Sequence, residues 1–210
     1  MQSVELKVKM IRQAKIVLLF ALAAFLGSVA VAAEHPAQQK VQAAITAMLD
    51  VYESDGERLK SDPQFLKAKV DELIVPNIDF ESMTKLAVGK FWRRASGDQK
   101  TELVGEFKTL LLNTYTSALT EYSGETAAFE PFRPESREDR AVVRSSFSQK
   151  TGADIPVVYK LRDRAGWLIY DIEVNNLSLV TSYRAAFSNE IEQDGIAGLI
   201  STLKERNGAS

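Results

Sequence analysis

The 210-residue chain contains no cysteine and a single histidine, His35. Without cysteine it can form neither a disulfide nor a thiolate metal site. One histidine near the start of the mature chain cannot complete a Ser–His pair or a cluster of imidazole ligands. Lys and Arg, 26 in number, are nearly balanced by 28 Asp and Glu, whereas phosphate contacts need clustered positive charge. We therefore expect no metal, no cofactor, no catalytic residue and no nucleic-acid partner.

A long apolar run occurs near the N-terminus. Residues 16–26 are apolar, follow four basic residues and precede Ala30-Val31-Ala32, which is the order found in a bacterial secretory signal. The run is short for a membrane span of ~20 residues, although an uncleaved anchor is the alternative. We predict a cleaved signal peptide over residues 1–32 and a single domain over residues 33–210. Cleavage removes four basic residues and one glutamate, which changes the formal charge from −2 to −5.

The longest helix is predicted from Gly97 to about Tyr122. Ser96 and Gln99 have the spacing of a capping box, in which each side chain accepts a backbone N–H of the other residue. Apolar residues then recur three and four positions apart, which is typical of a helix buried along one face. A second, flanking apolar stripe indicates that this helix is covered on two sides.

Three shorter helices are predicted before it. We expect Glu34–Lys40 to be a loose tail, followed by a helix over residues 41–52 that fades near Ser54-Asp55-Gly56. Asp62 and the proline after it have the order of a helix cap and first helical position. Asp79 caps a third helix, which ends at Gly89.

After Gly124 the pattern changes to alternation of apolar and polar residues. Short connections between consecutive strands indicate an antiparallel meander. The chain returns to helix near Val180 and breaks at Gly195. The expected class is α+β, with a curved antiparallel sheet of about four strands covered on one face by several helices. The predicted strands are Thr126–Phe132, Arg140–Gln149, Ile155–Arg162 and Trp167–Val174.

Two groups of polar residues permit a functional and a structural interpretation. Asp171 and Glu173 share a strand face, so one interpretation is an acid–base pair of a catalytic site. The favoured interpretation is that both carboxylates bond to nearby loops or arginines. The segment Phe91-Trp92-Arg93-Arg94 either offers cations to an anionic partner or is a Trp anchor whose arginines form surface ion pairs. The inward strand faces mix large and small residues, which fits a ligand cavity or a plain packed core.

A set of short motifs extends over nearly the whole mature chain. Its members are 89–96 (GKFWRRAS), Gln99, Phe107, Leu110-Leu111, Thr114-Tyr115, 156–159 (PVVY), 167–171 (WLIYD), 177–184 (LSLVTSYR), Phe187 and 195–200 (GIAGLI). In these motifs the sequence resembles the MlaC family, the periplasmic phospholipid-binding components of the Mla lipid-asymmetry system, also known as toluene-tolerance auxiliary proteins. One departure is Asn175-Asn176, where the family usually has an acidic residue and glycine. Asn tolerates the left-handed backbone, so we expect the turn to form in this chain too.

The resemblance implies a monomeric carrier in the periplasm that moves phospholipid between the inner and outer membranes and maintains outer-membrane lipid asymmetry. It implies two partners, an inner-membrane ABC transporter with an MCE subunit and an outer-membrane lipoprotein–porin complex. It also implies an apolar pocket for the acyl chains between helices and sheet. The residues assigned to that pocket are Phe107, Leu111, Tyr115, Val143, Phe147, Val157, Tyr159, Tyr170 and Ile172. Docking to a partner is assigned to Phe91, Trp92, Arg93 and Arg94.

Two other functions are compatible with the sequence. One is a small α+β enzyme that acts on an apolar substrate with Asp171 as its base. The other is a periplasmic chaperone or adaptor without a ligand.

Overall fold

The computed structural model describes residues 34–120, 124, 126–148 and 152–208. These residues form five α-helices, two short 3-10 helices and a five-stranded antiparallel sheet, which confirms the expected α+β class. In these described ranges no helix has the length and hydropathy needed to cross a bilayer. The predicted signal peptide over residues 1–32 lies outside them.

A run of helices comes first along the chain, followed by the sheet and a final helix. The helices are α1 (Pro36–Ser61), α2 (Pro63–Leu73), α3 (Phe80–Val88), α4 (Gly97–Leu119) and α5 (Leu179–Gly208). The 3-10 helices are Val75–Asn77 and Gly89–Arg94. The strands are β1 (Ala127–Phe129), β2 (Arg140–Phe147), β3 (Ile155–Asp163), β4 (Trp167–Val174) and β5 (Leu177–Ser178), adjacent in chain order. The two-residue strand β5 was not predicted. Tyr122, the expected end of α4, lies outside the described residues.

Polar side chains cap the helices where the sequence predicted them. The Gln99 N–H donates to Ser96 Oγ at 3.1 Å and the Ser96 N–H donates to Gln99 Oε1 at 3.0 Å, so the capping box is confirmed. The Asp62 carboxylate accepts two backbone N–H groups of α2, and the Asp79 carboxylate accepts one of α3. These bonds satisfy backbone donors that have no partner inside the helix.

Helix α1 is longer than predicted at both ends. It begins at Pro36, so the expected loose tail is mostly helical, and Ala37 is fully buried. His35 caps it, since Nδ1 accepts the Ala37 N–H at 3.2 Å and the imidazole stacks on Phe132 with 4.0 Å between ring centroids. At the other end the helix passes through a kink at Asp55, where it was expected to fade. Packing against the rest of the domain outweighs the weak local helix signal.

Two turns use the left-handed backbone as expected. Asn175 and Asn176, which join β4 to β5, have φ of 50° and 64°. This two-residue hairpin loop needs positive φ at both positions, and Asn adopts it more readily than most residues do. Gly195 interrupts α5 with φ of 72°, which confirms the predicted break.

The two faces of the sheet differ in chemistry, because side chains alternate along each strand. One face is nearly all hydrocarbon and the other carries most of the charges. The apolar face comprises Ala141, Val143, Ser145 and Phe147 of β2, Ile155, Val157, Tyr159 and Leu161 of β3, and Ile169, Ile172 and Val174 of β4. The charged face comprises Arg140, Val142 and Arg144 of β2, Val158, Lys160 and Arg162 of β3, and Asp171 and Glu173 of β4.

Strand β4 contains a bulge that changes its predicted alternation. Lys160 pairs with Asp171 while Leu161 pairs with Ile169, which leaves Tyr170 as an extra residue on β4. A bulge shifts every following side chain by one position relative to the partner strand. The prediction that Tyr170 and Ile172 share a face was therefore wrong.

The described residues pack into three apolar clusters. The helical cluster joins α3, α4, α5 and the second 3-10 helix around Phe107. The sheet cluster joins the first turns of α1, including Ala37 and Val41, to the apolar face. The third cluster joins the second half of α1 to α2, and Leu112 and Leu119 of α4 pack against it.

Candidate functional site

The apolar face of the sheet is covered unevenly. At one end Leu161 is fully buried in the sheet cluster, beneath the start of α1, where Val41 is also buried. At the opposite end Phe147 and Ile155 are only partly buried, and Val174 is 36% exposed. These positions are close together, because Phe147 pairs with Ile155 and the next strand pair places Val174 at the same end. We call this region the open end of the apolar face.

Helix α1 connects the sheet to the second half of α4. Ile45 packs in the sheet cluster, whereas Met48, one turn later, belongs to the third cluster. Tyr52 donates a hydrogen bond from its hydroxyl to the carbonyl oxygen of Leu119, which is the last residue of α4. The middle of α1 therefore lies between the apolar face and the C-terminal half of α4.

Five of the nine predicted pocket residues lie together on the apolar face. Val143 is fully buried beneath α1, and Val157 and Tyr159 are 7% and 8% exposed. Phe147 is partly buried at the open end, and Ile172 is partly buried in the same cross-strand row as Val143 and Tyr159. This group forms one continuous hydrocarbon surface across three strands.

The other four predicted residues lie elsewhere. Phe107 and Leu111 are buried in the helical cluster, where the Phe107 ring contacts Tyr183 at 5.0 Å and Phe187 at 5.1 Å between centroids. Tyr115 is 41% exposed and lies beside Tyr183 of α5. Tyr170 projects to the charged face because of the bulge. The structure thus separates these four side chains from the five on the apolar face.

The buried Asp171 carboxylate accepts hydrogen bonds from three neighbouring residues. The donors are Ser178 Oγ at 2.9 and 3.0 Å, the Val180 N–H at 3.3 Å and Lys160 Nζ at 3.2 Å. Lys160 also contacts Glu173. Burial lowers the pKa of Lys160, but the two carboxylates outweigh burial and leave that pKa raised. This network joins β3, β4 and the start of α5, which favours the structural interpretation.

The aromatic pair of the Phe91–Arg94 segment belongs to the core. Phe91 and Trp92 are 5% and 8% exposed in the helical cluster, whereas Arg93 and Arg94 are exposed. Lys90 Nζ lies 4.8 Å from the Phe91 ring centroid. Any contact with a partner would fall to the two arginines, and that role stays a prediction.

A family model described as MlaC protein matches residues 42–205, which is most of the chain. This chain belongs to the MlaC family. The resemblance noted from its motifs is therefore confirmed.

Three proteins illustrate what this chain is similar to. The chain is 28% identical over 180 residues to toluene tolerance protein Ttg2D of Pseudomonas putida, covering 85% of this chain and 82% of the relative. It is 23% identical over 193 residues to the intermembrane phospholipid transport system binding protein MlaC of Haemophilus influenzae, covering 90% of each. A phospholipid-binding protein from Ralstonia solanacearum, solved in complex with a phospholipid, is 32% identical with a TM-score of 0.76 and covers 83% of this chain and 98% of its own.

Within the MlaC fold, sequence reasoning did not assign α1 to the candidate site. Ile45 and Met48 lie where α1 passes from the apolar face toward α4. Their spacing of three residues predicted a helix but gave no sign of which surface it would cover. Ile155 and Val174 lie at the open end, and the same alternation of side chains that identified Val157 could have identified them as site residues.

A separate groove of about 530 Å³ lies between α2 and α4, and none of the nine predicted pocket residues lines it. Lys67, Asp71 and Lys108 are among the residues at its wall. Acyl chains need a hydrocarbon lining, so this groove is a poor candidate for them. Among the described residues, no group of three His, Asp or Glu side chains is arranged to hold a metal ion.

We expect this protein to lose stability at alkaline pH through Tyr159. Burial raises the pKa of Tyr159 from 10.0 to about 12, so the folded state retains the phenolic proton that the unfolded chain releases. The corresponding stability is fully present below pH 10 and is lost as the pH rises toward about 12. A shift of this size corresponds to roughly 2 to 3 kcal/mol. Urea unfolding between pH 9 and 12 (the upper limit set by that raised pKa) should show a steeper decline for the wild type than for Tyr159→Phe. If the stability of both proteins declined in parallel with pH, Tyr159 would not be the cause of the alkaline destabilisation.

Proposed function

We propose that this protein is a periplasmic phospholipid carrier that shuttles lipid between the inner and outer membranes and so maintains outer-membrane lipid asymmetry. The single observation that carries the proposal is the Ralstonia solanacearum protein, which was solved with a phospholipid bound and is 32% identical to this chain with the same fold. The name of the Haemophilus influenzae relative describes intermembrane phospholipid transport, which supports a role in moving lipid between two membranes.

The physics of lipid transfer explains why such a carrier needs a hydrocarbon surface. Each methylene removed from water contributes about 0.8 kcal/mol. Two acyl chains of roughly fifteen methylenes each would therefore expose on the order of 20 kcal/mol of unfavourable surface in free solution. A carrier must cover both chains while making few polar bonds, because release depends on weak directional contacts.

We assign the acyl chains to the open end of the apolar face. Val157, Phe147 and Ile172 would form the floor of that pocket, and Ile45 of α1 would form its wall. Partly buried hydrocarbon at this end is surface that a ligand can cover, unlike the fully buried residues under the start of α1. The headgroup would stay near solvent beside Val174. Phe107, Leu111 and Tyr115 of α4 remain candidates that would require helix and sheet to separate, and Tyr170 is the weakest of the nine.

The proposed partners are an inner-membrane ABC transporter with an MCE subunit and an outer-membrane lipoprotein–porin complex. In this scheme residues 1–32 direct export and are removed, and residues 33–210 act as a monomer. Any energy for the transfer would come from the transporter. The phospholipid is cargo, and no cofactor is required.

Lipid extraction tests the proposal most directly. We expect the mature chain, purified without detergent from an exporting bacterial host, to release about one phospholipid per protein on extraction with organic solvent, measured by mass spectrometry. A second arm measures transfer of a fluorescent phospholipid from donor to acceptor vesicles, which should accelerate with protein concentration. Protein that contains no stoichiometric lipid and takes none from vesicles would support the adaptor function instead.

A further inference from the structure

Two arginines face each other at one end of the charged face. Arg140 of β2 and Arg162 of β3 are direct cross-strand partners. Their guanidinium carbons lie 5.0 and 5.4 Å from the centroid of the Tyr170 ring, so both cations pack on the same aromatic side chain. Like charges directly opposite each other on antiparallel strands are destabilising. The register of β2 and β3 places the two arginines opposite each other, and the bulge in β4 turns Tyr170 toward them.

The acids close to this pair already have other partners. Asp139 accepts two bonds from Arg137, each at 2.9 Å, and its nearest contact with Arg140 is 3.7 Å. Asp79 caps α3 through a bond with a backbone N–H at 2.8 Å. In the described part of the chain, no carboxylate forms an ion pair with Arg162.

Arg162 is the least compensated cation of the group. Its Nε is buried and has no hydrogen-bond partner within the described residues. Burial, followed by the charges of Arg140 and Arg164, lowers the pKa of Arg162.

We propose that Arg140 and Arg162, held by Tyr170, form a binding site for one carboxylate side chain of a protein that docks on the charged face. Guanidinium groups donate in a planar fork that matches a carboxylate, and stacking on an aromatic ring fixes that fork in advance. One anion between the two cations relieves their mutual repulsion and accepts bonds from their terminal guanidinium N–H groups. The site lies on the face opposite the proposed acyl pocket, so cargo and docked protein do not compete for the same side chains.

The surroundings favour an acidic side chain over an anionic membrane surface. Binding to a membrane by charge requires several basic residues spread over one exposed area. Here the exposed residues next to the pair in sequence carry both signs, since Glu138 and Asp163 alternate with Arg137 and Arg164, and the whole chain has a net charge of −2. A flat anionic surface would therefore meet these acids together with the arginines. A single protruding carboxylate can reach the two half-buried arginines between them.

The test uses the intact mature protein labelled with ¹⁵N and follows the arginine Nε–Hε signals by NMR during titration with glutarate at constant ionic strength. We expect saturable shifts of the Arg140 and Arg162 signals and a much smaller shift of Arg137, whose guanidinium is already bound to Asp139. Arg162→Gln should reduce the Arg140 shift at least about fivefold, whereas the matched control Arg137→Gln should leave it unchanged. Lipid extracted from both variants should equal that of the wild type, which separates this site from the proposed carrier function.

Three results would contradict the proposed carboxylate-binding site. The first is a linear, non-saturating response of Arg162 or a shift of equal size at Arg137. The second is tighter binding of inorganic phosphate than of glutarate, which would indicate a phosphate ligand. The third is sedimentation with phosphatidylglycerol vesicles that depends on Arg162, which would indicate a membrane contact.

Discussion

Val157→Trp should abolish lipid binding without unfolding the protein. The Val157 side chain lies on the apolar face, 7% exposed, at the open end where Val174 is its cross-strand partner. An indole at this position would project into the space assigned to the acyl chains and replace them with protein. We expect co-purifying phospholipid to fall at least about tenfold, and because a filled site loses ligand only after its affinity drops substantially, the lost affinity would exceed about 1.4 kcal/mol. Mass spectrometry of the extracted lipid measures this loss.

The folded state should survive the change. Inserting a large side chain into a packed site typically costs about 1 to 3 kcal/mol, against a total stability of about 5 to 15 kcal/mol. Val143 is a poorer choice for the same substitution, because it is only 1% exposed beneath α1 and an indole there would press against that helix. Circular dichroism melting should therefore show a folded Val157→Trp protein with a reduced midpoint.

Val158→Trp is the matched control for this experiment. Val158 is the next residue of β3 and points to the charged face, so the same chemical change occurs on the opposite side of the sheet. We expect its lipid content to match that of the wild type. If Val157→Trp retains its lipid, or if both variants lose it equally, the apolar face is not the site of the acyl chains.

Local chemistry made much of the fold predictable. The capping box of α4, the caps at Asp62 and Asp79, the Asn175-Asn176 turn and the break at Gly195 each depend on residues close in sequence. The same holds for the two faces of β2 and β3, because side-chain direction in a strand follows directly from position. These features could be read without knowing what the elements pack against.

The β4 bulge was not predictable in this way. Only the last four residues of Trp167–Val174 alternate between polar and apolar, and nothing in the segment marks an extra residue. A bulge is a property of two paired strands, since it depends on which residue of β3 faces each residue of β4. Tyr170 was therefore assigned to the pocket, although it contacts arginines on the other face.

Helix packing limited the site prediction in a similar way. The apolar stripe of α4 predicted burial correctly for Phe107 and Leu111 but did not show that α3 and α5 would cover them. Residues 34–40 were expected to form a loose tail, yet Ala37 and Gln38 are buried. Periodicity identifies a buried side of an element, whereas the neighbour that buries it is set by the whole chain.

Asp171→Ala should destabilise the protein strongly, and for a structural reason. The Asp171 carboxylate is 5% exposed and accepts bonds from Ser178, Val180 and Lys160. Removing one partner of a buried charged network typically costs about 3 to 5 kcal/mol. For a domain of this size that corresponds to a fall in melting temperature of roughly 6 to 20 °C, which calorimetry can measure. The loss of the bond to the Val180 N–H should also loosen the start of α5, visible as faster amide exchange there.

Glu173→Ala provides the control, because Glu173 contacts the same lysine but is more exposed, at 24% of its side chain. Partly exposed pairs contribute about 0 to 1 kcal/mol, so we expect this variant to melt within a few degrees of the wild type. Asp171→Asn keeps the size of the side chain and removes its charge, so it distinguishes the structural role from that of a general base. A carboxylate whose oxygens already accept these bonds has little capacity left to take a proton from a substrate. An Asp171→Asn protein as stable as the wild type that had lost a hydrolytic activity would reverse this conclusion and favour the enzyme.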